Sequence, residues 1–359
     1  MNCYERYLAV YDENERKKLD RVPTHVQYIR EKFIDMNKES VLKGYNGNLF
    51  NDPYFDIPMI LGFDSIFASF PKSVKFKSIK VDIGEGNYVK IREDGETIKH
   101  KTSYYEGGYI KSLDILNELR ANLKIVENYK LINKTIIRYE KISPYIFPVL
   151  QIDGIFDRVW KSMGMADFSH HFKKNSKLYR ELIKFYAHLT QTNLEGLINA
   201  TGKRGKVVTL LDDVAYKGRL MISPKRWEQD FMPYYKKINS IISNADMISQ
   251  IHTDGDATEL IPSLIEAGFR GLQGFEGGCD PTYMNENHPD FVIIGFGDVS
   301  YTLPYGTSHQ IELHVKELLD VLKENRHFIL GPSTVIFKEI PLKNVRKFIT
   351  AARNYSKYN

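Results

Sequence analysis

The chain has 359 residues, a net charge of +5, and 42% apolar and 26% charged residues. This is ordinary globular usage, enough for a large buried core, and the dispersed basic excess argues against a nucleic-acid partner. No apolar run approaches the roughly 20 residues of a membrane span. The opening stretch "MNCYERYLAVYDENERKKLDR" is too charged for a secretory signal. Two cysteines, Cys3 and Cys279, cannot build a disulfide framework, which points to a reducing cytoplasm.

Residues 1–20 read as an N-terminal helical extension. After it, a short β-rich apolar run followed by a helical pattern recurs along the chain. The runs are "RVPTHVQY" (21–28), "DSIFASF" (64–70), "YIFPVLQIDG" (145–154), "KVVTLLDD" (206–213), "DMISQIHTDG" (246–255), "RGLQGFE" (270–276), "FVIIGFGDV" (291–299) and "RHFILGPST" (326–334). They are nearly continuous rather than alternating, the mark of parallel strands buried on both faces. The segment 74–112 breaks the pattern. It alternates, with turns at "GEGN" and "EDGE", and predicts antiparallel hairpins inserted after the second strand. Its Lys75, Lys77 and Lys80 are candidates to steer an acidic partner.

Later helical stretches carry boundary signals. "SPKRWEQDFMPYYKKINSIISN" opens with Ser223 as N-cap and Pro224 at the first helical position. "ATELIPSLIEAGF" stops at Gly268. "SHQIELHVKELLDVLKEN" places Ile311, Val315, Leu318, Leu319 and Leu322 on one face, with Ser308 as cap. Eight strands alternating with helices predict an α/β fold, a (β/α)8 TIM barrel forming one domain over 1–359.

Active sites of such barrels lie at the C-terminal strand ends. Polar residues recur there: Tyr28, Asp153, Asp212 and Asp213, His252 and Asp254, Glu276, Asp298, and Ser333 with Thr334. His252 and Asp254 are two apart, so on an extended strand both face one side. Three readings stay open. With Glu276 they form a metal site, for which zinc suits the donor types. As an acid/base pair, the carboxylate tunes the imidazole. In the third, Asp254–Gly255 is only a turn and Asp254 caps the next helix. Candidate catalytic residues are His252, Asp212, Asp213 and Asp298; candidate substrate contacts are Tyr28, Asp153 and Ser333. There is no Walker A sequence, no His-Glu-x-x-His and no Cys-x-x-Cys. The absence of an Asp-x-His-x-x-Gly signature predicts that the chain carries no corrinoid of its own.

The segments "DRVPTHVQY", "YYEGGYIKS", "LLDDVAYKGRLMISPKRWEQDFMPYYKKI", "IHTDGDATELIPSLIEAGFRGLQGFE", "IIGFGDV" and "FILGPSTVIFKEIPLKNVRKFI", in this order, resemble the uroporphyrinogen decarboxylase superfamily. The resemblance implies a barrel and one of two chemistries. The decarboxylases hold substrate carboxylates with an Arg-Gln-Ala-Gly-Arg-type stretch, absent from "RVPTHVQYIREKF", and carry a Gly-His-Gly that is "GPST" here. The corrinoid-dependent methyltransferases that act on coenzyme M bind zinc through His-x-Cys and a later cysteine. Here His252-Thr253-Asp254 stands at the first place, and Ser333 lies near the second. The histidine is kept and both cysteines are replaced.

A carboxylate-for-thiolate exchange suits oxygen better than sulfur. The resemblance thus implies an O-demethylase, which passes a methyl group from a methoxylated, aromatic small molecule to the cobalt of a separate corrinoid protein. Alternatives are a tetrapyrrole decarboxylase using Asp153 or Asp213, a methylcobalamin:thiol methyltransferase, and a non-catalytic binding barrel. The oligomeric state is not legible, and a homodimer is one assembly compatible with the sequence.

Overall fold

The computed structural model describes residues 1–76, 79–84, 87–91, 96–99, 105–202, 204–216, 218–276 and 278–358. Eight parallel strands form the central sheet: β1 (His25–Val26), β2 (Ser65–Ala68), β3 (Phe147–Asp153), β4 (Val207–Leu211), β5 (Ile248–Thr253), β6 (Gly271–Gly274), β7 (Val292–Gly297) and β8 (Phe328–Pro332), each paired with its neighbours in that order. A parallel bridge between Thr24 and Leu330 brings β8 back to β1 and rounds the sheet into a barrel. All eight apolar runs therefore become barrel strands. Among the described residues, no helix is long and apolar enough to cross a membrane.

Two apolar clusters follow from the period-two alternation of the strands. Phe67, Phe147, Val149, Ile294 and Ile329 point inward and pack against Tyr7 and Tyr11. These tyrosines come from the helix Cys3–Ala9 and the residues after it, so the N-terminal extension plugs the barrel at the end opposite the candidate site. Tyr11 donates to Gln250 Oε1 (2.6 Å), and Gln250 donates to Thr209 Oγ1 (2.9 Å), which satisfies the polar atoms buried in the lower barrel. The larger cluster fills the annulus between strands and outer helices.

The insertion differs in part from the expectation. Val74–Phe76 pairs with Leu123–Ile125 as a separate two-stranded sheet. A four-stranded antiparallel sheet follows, from Ile79–Gly84, Asn87–Ile91, Glu96–Lys99 and Tyr105–Gly108. Its end packs on the helix Phe156–Met163: a Cβ on Gly108 would strike the Met163 backbone, and Ile110 N donates to Ser162 O (2.9 Å). Lys75 is exposed; Lys77 lies outside the described residues, and only the backbone of Lys80 is described.

The cap assignments also shift. Thr307, not Ser308, caps the helix Ser308–Leu322, in a capping box with Gln310, because its hydroxyl reaches the third amide of the first turn. Ser223 stands at the N-cap of Pro224–Asp230 without a side-chain hydrogen bond.

Candidate functional site

His252 is the last but one residue of β5, and its inward position places the ring one layer above Gln250, at the C-terminal mouth. Its Nδ1 lies 3.2 Å from the backbone carbonyl of Gln273 on β6. A carbonyl only accepts, so Nδ1 carries a proton. Gln27 at the end of β1 presents its amide nitrogen 3.3 Å from Nε2, and Thr334 donates to the Gln27 carbonyl (2.9 Å), which holds the amide in that sense. Nε2 is then a lone-pair acceptor on a neutral imidazole. Two carboxylates converge on the same nitrogen: Asp254 Oδ1 at 3.6 Å and Asp213 Oδ1 at 3.9 Å. The three atoms lie within 4.8 Å of one another. Gln27 donates to Nε2 and the Asp254 amide donates to Asp213 Oδ1 (3.1 Å), and three acceptors so close together favour a cation between them, either a proton or a metal. Asp254 Oδ1 is buried and has no hydrogen-bond partner among the described residues. Burial, with the charge of Asp213, pushes the Asp254 carboxyl above its ordinary range, although His252 pulls it back. The backbone-anchored Nδ1–H is also how proteins orient a metal-ligating imidazole.

The cluster opens into a cavity of about 900 Å3 at the mouth. Lys161, on the helix Phe156–Met163, reaches into it. Its Nζ is 2.7 Å from Asp157 Oδ2 and 3.8 Å from Asp213 Oδ2, so it links the cluster to a third carboxylate, whose side chain is largely buried. Asp157 is held well above the carboxylate range, chiefly by burial, with Lys161 opposing.

A family model described as uroporphyrinogen decarboxylase (URO-D) matches residues 159–355, more than half of the chain. The chain belongs to the URO-D family. Among curated proteins this URO-D family member is similar to the methylcobamide:CoM methyltransferase MtbA of Methanosarcina acetivorans, 23% identical over 297 residues, which cover 82% of this chain and 81% of the relative. Among solved structures it is similar to a methyltransferase from Methanosarcina mazei, with a TM-score of 0.65 at 17% identity and 99% of each chain covered, which shows a shared barrel fold.

Within this URO-D family member the anticipated residues divide by what their side chains touch. His252, Asp254 and Asp213 meet. Glu276, expected as the third ligand, is not in the cluster: Ser333 donates to its Oε1 (3.2 Å), and the two form a separate pair. Burial and the nearby Asp254 raise the Glu276 carboxyl. The reason for the displacement is local. Gly274 and Phe275 both have positive φ (141° and 64°), which turns the chain out of the strand just before Glu276. Gly295 and Phe296 repeat the turn on β7, and the two phenylalanine rings stack 4.8 Å apart. Side chains are excluded at both glycines, since a Cβ would strike the carbonyl of Thr253 or of Gly274.

Asp298 is a correction. It does not line the cavity; its oxygens accept from the amides of Ser300 (2.8 Å), Tyr301 (3.2 Å) and Thr302 (2.8 Å). Burial would raise its carboxyl, but these donors outweigh burial and lower it. Asp298 is thus a turn and cap residue. The helix-cap reading of Asp254 also fails, because the Thr258 amide donates to Asp256 Oδ1 (3.0 Å) instead. Ser333 is buried and does not line the cavity; Tyr28 and Asp153 do, with Asp153 paired to Lys72 at 2.5 Å.

Asp212 touches the cavity but points away from His252. It accepts from the Asp157 amide (2.7 Å) and the Tyr235 hydroxyl, and so ties β4 to the start of the helix that carries Lys161. A Cβ at Gly154 would collide with it. Burial raises the Asp212 carboxyl to about 6 against the pull of these donors. A raised folded-state value means that the folded protein keeps a proton that the unfolded chain has released. Stability therefore falls as pH rises from the ordinary carboxylate value through about 6, by roughly 3 kcal/mol for this group. Asp212→Asn, which cannot titrate, is expected to remove that slope; urea unfolding of both proteins at pH 4 and pH 7 measures it.

Three participants were not anticipated. Gln27 had no signal beyond its place at a strand end. Asp157 and Lys161 did: they are four apart on a helix, the spacing of an intrahelical ion pair, directly after a strand.

Proposed function

We propose that the protein is a corrinoid-dependent methyltransferase, which moves a methyl group from an oxygen of a methoxylated aromatic compound to the cobalt of a separate corrinoid protein. The supporting observation is the convergence of Nε2 of a neutral His252 with Asp213 and Asp254 at the floor of an open cavity. The similarity to MtbA, named for methyl transfer between methylcobamide and CoM, supports the corrinoid part. The exchange of methyl donor rests on the donor atoms: the cluster holds one nitrogen and two carboxylates, and Cys279 is bonded to Asp256 (3.3 Å) outside the cavity.

In the balanced reaction the methyl–oxygen bond breaks and a carbon–cobalt bond forms. Both electrons of the new bond come from cobalt(I), and the oxygen leaves with the old pair and takes up a proton. Expelling that oxygen is the difficult part. Asp213, His252 and Asp254 fit a divalent metal, most naturally zinc, which would supply Lewis-acid polarisation of the departing oxygen. The chain's own groups do the rest. Gln27 and the Gln273 carbonyl fix the imidazole, Lys161 holds Asp213, and the walls position the donor over the cluster. A second reading is favoured by the raised carboxyls of Asp254 and Glu276: each holds its proton more tightly than an ordinary carboxyl, and such a group is a candidate to protonate the leaving oxygen without a metal.

Two measurements test these readings. Elemental analysis of protein purified without chelators is expected to find one zinc per chain, lost in Asp213→Asn. Reduced corrinoid protein mixed with a methoxylated aromatic is expected to give the methyl-cobalt absorption spectrum. Turnover that survives metal removal discards the metal in favour of proton donation. Methylation of cobalt from a thioether but from no methoxy compound discards the oxygen donor.

A further inference from the structure

Beside the charged cluster stands an uncharged side chain, Gln27. It is buried just after β1, and its main chain is pinned: the Phe67 amide donates to its carbonyl (3.2 Å). Its carboxamide alone needs to rotate to exchange the places of Oε1 and Nε2, which are nearly equal in size. Their order is set by the neighbours. Nε2 of Gln27 faces the lone pair of His252, 3.3 Å away, and Oε1 accepts from Thr334 (2.9 Å). Thr334 has a second acceptor, since its hydroxyl also hydrogen-bonds the Asp254 carboxyl. A hydroxyl has one proton, so at any moment it serves Gln27 or Asp254. Asp254, Thr334, Gln27 and His252 thus form a chain of hydrogen bonds that can run in either direction.

We propose that Gln27 is an amide switch and a fourth metal ligand: one end of its carboxamide covers His252 when no metal is bound, and the other end completes the site of Asp213, His252 and Asp254 when one is. A metal on the lone pair of His252 would meet the N–H groups of the amide in its first sense. Turning the amide over restores every contact. Its carbonyl then faces the metal, its nitrogen donates to Thr334 Oγ1, and the Thr334 hydroxyl donates to Asp254. No donor or acceptor in the chain loses its partner, and the main chain stays in place. The spacing agrees with this. Two ligand atoms on a tetrahedral zinc, with bonds of about 2.0–2.1 Å, lie about 3.3 Å apart. The end of the Gln27 amide that faces His252 is 3.3 Å from Nε2, and the carboxylate oxygens of Asp254 and Asp213 are 3.6 and 3.9 Å from it. A neutral carbonyl is also a weaker donor than a carboxylate, so the fourth position stays exchangeable, as a catalytic zinc requires. The inference rests on the metal reading above and not on the identity of the methyl donor.

The test is zinc affinity of the full-length protein, stripped by chelation and titrated in competition with a chromophoric chelator, together with a crystal structure of the zinc-loaded wild type. Gln27→Leu keeps the bulk and removes the carbonyl, and its zinc affinity is expected to fall roughly tenfold or more, at least the loss seen when an outer partner of a ligand is removed. Gln27→Glu keeps an oxygen donor and has no N–H to turn aside, so it is expected to bind zinc at least as tightly as the wild type. Thr334→Val, which takes away the acceptor for the turned amide, is expected to fall between the wild type and Gln27→Leu. Melting temperatures verify that the variants fold. In the zinc-loaded structure Oε1 of Gln27 is expected at ligand distance, about 2.0–2.2 Å from the metal. An affinity that is unchanged or higher in Gln27→Leu, or a loaded structure in which the amide lies away from the metal, overturns the proposal and leaves the three-residue metal site standing. A wild type that binds no zinc removes the metal reading and the switch together.

Discussion

Replacing His252 with alanine is expected to lower methyl transfer by about a hundredfold or more, the range for loss of a positioned acid, base or metal ligand. The ring nitrogen lies within 4 Å of both carboxylates, and its removal leaves Asp213 and Asp254 facing each other without the nitrogen between them. Initial rates with reduced corrinoid protein measure the loss. Bound zinc should fall with it, as read by elemental analysis; the ring is buried edge-on to Phe67, so a melting temperature verifies that the variant still folds. His252→Gln separates the roles further: an amide can replace the bond to the Gln273 carbonyl but is a poor metal ligand. A His252→Ala variant with full turnover would remove the cluster from the chemistry.

The largest effect on stability is expected far from the cavity. Asp64 is fully buried before β2 and accepts from both nitrogens of the Arg21 fork (2.7 and 2.6 Å), from Arg6 (3.0 Å), and from the amide and hydroxyl of Thr24 (2.8 and 2.9 Å). Arg6 belongs to the N-terminal plug helix and also grips Asp20 (2.7 Å). Asp64→Ala leaves two buried guanidinium groups without their shared partner, a loss of about 3–5 kcal/mol, measurable by denaturant unfolding. Burial opposes the charge of Asp64, but Arg21 and Arg6 overcome it and hold the carboxyl below its ordinary value. Its contribution is therefore complete above the unfolded value of about 3.9 and is lost as pH falls through the folded one. The wild type and Asp64→Ala should converge in stability in acid and diverge towards neutrality. A constant gap across that range would show that the buried charge is not what the site contributes.

The barrel was legible because each strand is buried on both faces, and that demand writes itself into the chain as an unbroken apolar run. His252 with Asp254 was legible for a related reason: a spacing of two on a strand is a statement about direction. The partners were harder to read. Asp213 and Glu276 both follow strands, and nothing in "LLDDV" or "GFEGG" states that one carboxylate turns towards β5 and the other towards Ser333. That choice is made by positive-φ turns and by Asp212, which takes up the helix amides and leaves Asp213 for the cavity. Asp298 shows the opposite error: a carboxylate at a strand end is as readily absorbed by three backbone amides as offered to a ligand. That Arg30 and Arg138 line the same cavity could not be read from sequence, because one follows the first strand and the other lies on the helix Tyr129–Ile142.

The proton on His252 Nδ1 is held by a main-chain oxygen, and this bears on how the site can change. No substitution at residue 273 removes that carbonyl; only a slip of β6 against β5 would, and the pairing of His252 with Gln273 and of Thr253 with Gly274 resists such a slip. The proton on Nδ1 is therefore inherited with the barrel's register, whatever side chains drift around the ring. A designer can rewrite the cavity wall for another substrate and still receive a histidine with its lone pair turned to the new guest.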